Sequence, residues 1–284
     1  DIKIVDDVEK LADSELDAVY ITTPIPSHFP IAKTIYLKKI TRNMFIEKTL
    51  AANYPEAQEL CDLADSYGGI NMVGYLRRFY VTFRKVKELL SQQTIGELSS
   101  FEAYAYSSDF CGAKQESLSK AARIDVLRDL GCYALDLALW FFGDLRVVSN
   151  EVKPLRASCW QDFVNFEVQG FNALKGKFSV SWRVEGYRMP EVGFSIVGLK
   201  GKIKAIDDRV ELTFNDGGGS FVWYRHDLTD HVPFWLALPE YYREDLHFVK
   251  AISEGHLAEP SFYEASKVDE AISQIEETVG TNYE

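Results

Sequence analysis

The chain has 284 residues, 46% hydrophobic and 13% aromatic, enough for one large or two ordinary packed domains. Its net charge of -12 argues against nucleic acid or an anionic membrane as the main partner, and leaves room for a nucleotide held by local dipoles. No stretch approaches the ~18 apolar residues of a membrane span, and no charged-then-apolar leader opens the chain, so a cytoplasmic protein is expected. The cysteines, Cys61, Cys111, Cys132 and Cys159, are widely spaced without a CxxC pair. That spacing predicts reduced thiols, and neither a zinc cluster nor a redox pair.

Residues 1–96 alternate short strands with amphipathic helices. Residues 2–5 (IKIV) read as a strand and 8–12 as a short helix. Residues 17–22 (DAVYIT) form an apolar run, as expected of a strand buried on both faces. A turn at 23–27 leads into a helix over 28–39, with Pro30 tolerable in its first turn. Residues 43–47 (NMFIE) are the next strand. Asn53, with Glu56 three residues on, caps a helix whose apolar stripe is Ala57, Leu60, Cys61 and Ala64, and Gly68-Gly69 ends it. A strand at 70–74 and a helix at 80–91 follow. This βαβα order predicts a parallel sheet with helices on its faces.

From Gly96 onward, period-2 segments dominate. Residues 98–106 open the series, then Val164, Phe166 and Val168, then Phe178, Val180, Trp182 and Val184. Segments at 192–197, 202–206, 210–214 and 220–224 continue it, with hairpin turns at 198–201 and 216–219. The pattern predicts an antiparallel sheet with one wet and one dry face. The triple glycine at 217–219 precedes no helix, so it reads as a turn and not a phosphate loop. Helices near 129–142, 241–254 and 263–277 complete the reading.

Three parallel strands end in polar residues: Thr22, Thr23 and Pro24; Glu47 and Lys48; and the run 74–78 containing Arg78. Ligands of open α/β sheets sit beyond such ends. Ser27 and His28 lie at a helix start on the same edge, where free N–H groups favour anions. Lys48 has two readings: a snorkelling surface lysine, or a partly buried one with a depressed pKa. On the helix at 129–142, Asp129, Tyr133, Asp136 and Trp140 share one face by α-spacing, among leucines and alanines. Two carboxylates and a phenol there are either a structural hydrogen-bonded cluster or a site in which a lysine lowers the tyrosine pKa for proton transfer.

The run Asp17-Ala-Val-Tyr-Ile-Thr-Thr-Pro24, then Glu47-Lys48, then Gly74-Tyr-Leu-Arg-Arg-Phe79, then Asp129-Leu-Gly-Cys-Tyr133-Ala-Leu-Asp136 resembles the glucose–fructose oxidoreductase / inositol dehydrogenase (Gfo/Idh/MocA) family. Tyrosine at 133 is similar to the branch with aldose (xylose) and dihydrodiol dehydrogenases. The resemblance implies an α/β Rossmann domain at 1–96 and an α+β domain with a large, mostly antiparallel sheet at 97–284, the latter serving substrate binding and oligomerisation. It implies NAD or NADP as cofactor, a sugar or polyol as substrate, and a homodimer or homotetramer joined through the open sheet face. It places Lys48, Tyr133 and Asp129 in the catalytic set and Thr22, Thr23, Pro24, His28, Glu47 and Lys48 at the cofactor. Arg78, Asp129 and Tyr133 fall to the substrate, and Asp136 to structure.

Three departures stand out. Thr49 replaces the proline of the usual Glu-Lys-Pro, and Ile25 stands where asparagine is common. The G-x-G-x-x-G loop is absent, so a first βαβ unit of roughly 40–50 residues is expected to precede Asp1. The implied activity is hydride transfer between NAD(P) and a sugar, polyol or diol carbon. A non-catalytic dinucleotide- or partner-sensing regulator and a redox-assisted glycosidase of the same fold are the alternatives.

Overall fold

The computed structural model describes residues 2, 4–109, 111, 124–151, 162–228 and 238–280. Strands β1 (Val19–Ile21), β2 (Met44–Glu47) and β3 (Asn71–Gly74) pair in parallel in that order. Helices α1 (His28–Leu37) and α2 (Tyr54–Tyr67) join them. Met44, Phe45 and Ile46 are all buried, because a parallel strand covered on both faces needs apolar residues at every position. The Asn53 side chain accepts a hydrogen bond from the Glu56 N–H at 3.0 Å, the expected cap of α2. Gly68, at φ 66°, ends that helix.

Two expectations for the start of the chain fail. The described residues of 2–5 form no strand, and Ile2 and Ile4 are 94% and 91% exposed. A strand needs a hydrogen-bonding neighbour, and among the described residues β1 pairs only with β2. For the same reason β1 is short and Tyr20 is 41% exposed, so the DAVYIT run is not buried on both faces.

After α3 (Val81–Ser91) come β4 (Leu98–Tyr106), β5 (Arg146–Glu151), β6 (Phe163–Gln169), β7 (Lys175–Ser181), β8 (Glu191–Gly198), β9 (Gly201–Ile206), β10 (Arg209–Phe214) and β11 (Ser220–Tyr224). They form one sheet in the order β11-β10-β9-β8-β4-β7-β6-β5, antiparallel except where β4 lies parallel to β7. The fold is thus a small parallel α/β layer plus a large, mostly antiparallel sheet, as expected. Edge strand β5 escaped the periodicity reading.

Helix α4 (Cys132–Phe142) is preceded by a π-helical turn, Leu127–Gly131. A Cβ on Gly131 would stand 3.2 Å from Val180, so glycine lets that turn seat against β7. Phe141 and Phe142 of α4 meet Phe194 and Phe101 of the large sheet, at 5.4 and 4.4 Å between ring centres. Helices α5 (Pro239–Glu254) and α6 (Phe262–Gly280) return to the parallel layer. Phe248 of α5 packs edge-on against Tyr20 and Phe45, and α6 packs on α2, β3 and α4. The apolar core therefore runs on past residue 96, and the change there is one of sheet type. None of the described helices is long and apolar enough to cross a membrane. Cys61, Cys111 and Cys132 are free thiols; Cys159 lies outside the described residues.

Candidate active site

The three parallel strands end on one edge. Lys48 follows β2 directly, and its Nζ reaches the turn before α4. It donates to the main-chain oxygen of Asp129 and, at 3.0 Å, to Asp129 Oδ1. The same nitrogen stands 5.0 Å from the ring centre of Tyr133, and the guanidinium carbon of Arg77 stands 4.4 Å from it. The Tyr75 ring meets Tyr133 edge-on at 6.5 Å. Two cations thus flank one phenol, delivered by β2, the loop after β3, and α4. Charge over an aromatic face is attractive and strengthens as water is excluded.

Protonation follows from burial. Desolvation works against the Lys48 ammonium, but the charge and the hydrogen bond of Asp129 favour it, and its pKa rises. Desolvation also raises Tyr133, and the pull of Lys48 and Arg77 only partly offsets it. Both net shifts run opposite to one of the two sequence readings of each group, a depressed lysine and an acidified phenol, although Lys48 does pull the phenol downward. The site at neutral pH holds a charged ammonium and a neutral phenol.

The stripe expected on the 129–142 helix is split. The π-helical turn carries more residues per turn than α-spacing assumes. Asp129 and Tyr133 face Lys48, whereas Asp136 faces Arg78. Arg78 does not reach the site as a substrate ligand. Its Nε and Nη2 bind the Asp136 carboxylate at 2.9 and 2.7 Å, with both side chains buried. The fork-shaped pair turns the guanidinium into the core, and its remaining Nη1 faces Glu264 at 3.6 Å. The neighbouring arginine takes the place by the phenol.

His28 is also corrected. It is wholly buried, with Nδ1 2.8 Å from the Thr49 oxygen and Nε2 2.7 Å from the Thr23 oxygen. Burial lowers its pKa, against the pull of the two carbonyl oxygens. The ring lies between the 22–24 turn and the segment after Lys48, with no exposed surface to offer a cofactor.

Thr22, Thr23 and Pro24 are exposed at the end of β1, and Thr23 Oγ1 accepts from Ser27 Oγ at 2.8 Å. Thr22 and Glu47 line a cavity of about 370 Å³ with Tyr20, Phe45, Tyr241, Glu244 and Asp245. Burial raises the Glu47 carboxyl. Glu244 is almost fully buried, its Oε1 has no hydrogen-bond partner among the described residues, and burial with Glu47 and Asp245 nearby drives its pKa well up. An orphaned acid beside the Thr22 hydroxyl and three aromatic rings fits the nicotinamide half of a dinucleotide, a flat ring with an amide and a ribose. The sequence holds no G-x-G-x-x-G, so it shows no such cradle for a pyrophosphate.

Sequence reasoning missed Arg77, its partner Asp207, Tyr241 and Glu244. Arg77 and Arg78 are adjacent, and no local pattern says which faces the ring. Tyr241 and Glu244 reach the edge from a helix far along the chain, through contacts that no spacing announces.

Two family models match. One, described as an oxidoreductase family with an NAD-binding Rossmann fold, covers residues 1–75; the other, the GFO/IDH/MocA C-terminal domain, covers residues 83–204. Among curated proteins, an uncharacterized oxidoreductase YdgJ of Escherichia coli is 32% identical over 92 residues, 32% of this chain and 26% of that protein. Trans-1,2-dihydrobenzene-1,2-diol dehydrogenase of Xenopus tropicalis is 27% identical over 150 residues, 51% of this chain and 43% of that one. The matched stretch thus spans less than half the length of either relative. Levoglucosan dehydrogenase, solved with NADH and levoglucosan, has the same fold, with a TM-score of 0.84 at 21% identity over 98% of this chain and 82% of that one. With both family models matching in order along one chain, and both sheets in place, the protein belongs to the GFO/IDH/MocA oxidoreductase family.

Proposed function

We propose that the protein is an NAD(P)-dependent oxidoreductase acting on a secondary alcohol or ketone of a sugar, polyol or diol. The observation that carries the reading is the meeting of Lys48 and Tyr133 at the carboxyl edge of the parallel sheet. Thr22, Thr23, Pro24 and Glu47 would hold the nicotinamide half, which supplies the hydride acceptor or donor when bound. A substrate oxygen placed beside Tyr133 and Lys48 meets a phenol O–H and an ammonium. In reduction, Tyr133 gives its proton to that oxygen while Lys48 supports the developing negative charge. Asp129 holds the lysine in place through two hydrogen bonds. The cytoplasmic location and a homodimer or homotetramer belong to the same reading. The open face of the large sheet suits such contact, with a depression of about 940 Å³ among Tyr104, Asn165, Lys177 and Lys204.

The test is Tyr133→Phe, assayed against aldoses, inositols and diols with each cofactor. The variant keeps its fold by circular dichroism, and turnover drops by about 10² or more. Unchanged turnover removes Tyr133 from the chemistry. The raised Tyr133 pKa fixes a sign as well. Oxidation needs the phenol deprotonated, so its rate climbs with pH well into the alkaline range. Reduction uses the phenol as it stands and holds level across neutrality.

A further inference from the structure

We propose that Arg77, held by Asp207, is a positioning residue that stabilises the phenolate left on Tyr133 after proton transfer. The inference rests on the dehydrogenase reading. When Tyr133 gives its proton to a substrate oxygen, the O–H electron pair stays on the phenolate. That charge forms on a ring whose centre stands 5.0 Å from the Lys48 nitrogen and 4.4 Å from the Arg77 guanidinium carbon. The two cations differ in kind. Lys48 can shed its proton, while a guanidinium stays charged at any working pH. Arg77 is also the more firmly fixed. Its Nε and Nη2 bind Asp207 at 3.2 and 3.1 Å, and Nη2 also donates to the Pro190 oxygen at 2.7 Å. Both anchors belong to the large sheet, Pro190 just before β8 and Asp207 in the turn between β9 and β10. The second sheet therefore sets the position of a charge on a phenol carried by α4.

The groups around Tyr133 come from every element packed on it. They are Glu47 and Lys48 at β2, Tyr75 and Arg77 after β3, Asp129 in the π-helical turn, and Cys132 on α4. Lys48 and Arg77 favour the phenolate, while Cys132 and Glu47 oppose it. A tie between the two sheets would account for the Asp207 and Pro190 bonds alone. It would not require the guanidinium to lie over the ring.

The experiment places the more acidic difluorotyrosine at position 133 of the full-length protein and follows its ionisation by fluorine NMR, without cofactor. Arg77→Met should raise the midpoint by about one unit, a roughly tenfold fall in the ionisation constant. Asp207→Asn should lower it, because the guanidinium loses its neutralising partner and keeps its place through Pro190. A loosened tie between sheets would move both midpoints the same way. Shifts of one sign, or none, overturn the proposal. Arg77→Met leaves Asp207 without its cation; if that variant does not fold, Asp207→Asn alone decides, a downward shift supporting the proposal and any other result overturning it. A lack of turnover in the unmodified protein would sink the dehydrogenase reading while leaving the NMR shifts to stand.

Discussion

Two ion pairs, Lys48 with Asp129 and Arg78 with Asp136, are built on the same helical stretch from similar chemistry. The first keeps side-chain exposures of 15% and 19%, and the second only 5% and 1%. The first lies at the strand ends over a phenol. The second closes on itself through a fork, against Trp140 at 5.7 Å. The less buried pair keeps some contact with solvent, so one of its partners can be exchanged for a substrate oxygen. The buried pair has committed Nε and Nη2 to Asp136, and its remaining Nη1 faces the Glu264 carboxylate at 3.6 Å. Burial thus divides chemistry from architecture within a few turns of one helix.

The largest expected effect tests the buried half of this contrast. Asp136→Ala strips the Arg78 guanidinium of its hydrogen-bonded carboxylate, leaving only Glu264 at 3.6 Å, and should cost about 3 kcal/mol of stability. Thermal unfolding would show it as a large fall in Tm. The double change Arg78→Met with Asp136→Leu removes both charges together and should recover most of that loss, since well-packed apolar pairs often match a buried ion pair. A double variant as unstable as the single one would mean that the pair does more than balance itself.

The next effect tests the exposed half. Lys48→Met keeps the stem and removes the ammonium. Turnover should fall by about 10² or more, the usual loss when one donor to a developing oxyanion is removed. The Tm should move far less than for Asp136→Ala, because Asp129 retains solvent. A variant that unfolds while its folded fraction stays active would reverse the roles assigned to the two pairs.

This division could not be read from the sequence, although most of the fold could. The alternation from Val19 to Gly74, the Asn53 cap and the two hairpin turns are local signals, and the structure carries them. Ile2 to Val5 misled because strand propensity says nothing about the presence of a neighbour. Lys48, Asp129 and Tyr133 were legible as a set, since two of four motifs in order carry them. Their protonation was not: the sequence shows a lysine near a tyrosine, and only packing reveals how much desolvation each pays. His28 and Arg78 failed for a related reason. Their types suit a ligand site, and burial, which spacing does not report, commits them to carbonyls and to Asp136 instead.

The smallest effect sharpens the comparison most finely. Asp129→Asn keeps the shape of the acid and removes its charge. The Asp129 main-chain oxygen still accepts from Lys48, so the ammonium is not left without a partner. The stability cost should therefore be about 1 kcal/mol or less, close to that of a partly exposed pair. It should also shrink as salt is raised, because a Debye length of about 3 Å at 1 M screens charges that water can reach. The cost of Asp136→Ala should hardly respond to salt, since ions do not enter the core. Chemical unfolding of both variants in urea at low and high salt would measure the difference. If the Asp129 penalty is salt-independent and as large as that at Asp136, the exposed pair is architecture too. Lys48 would then be too tightly held to turn toward a substrate oxygen.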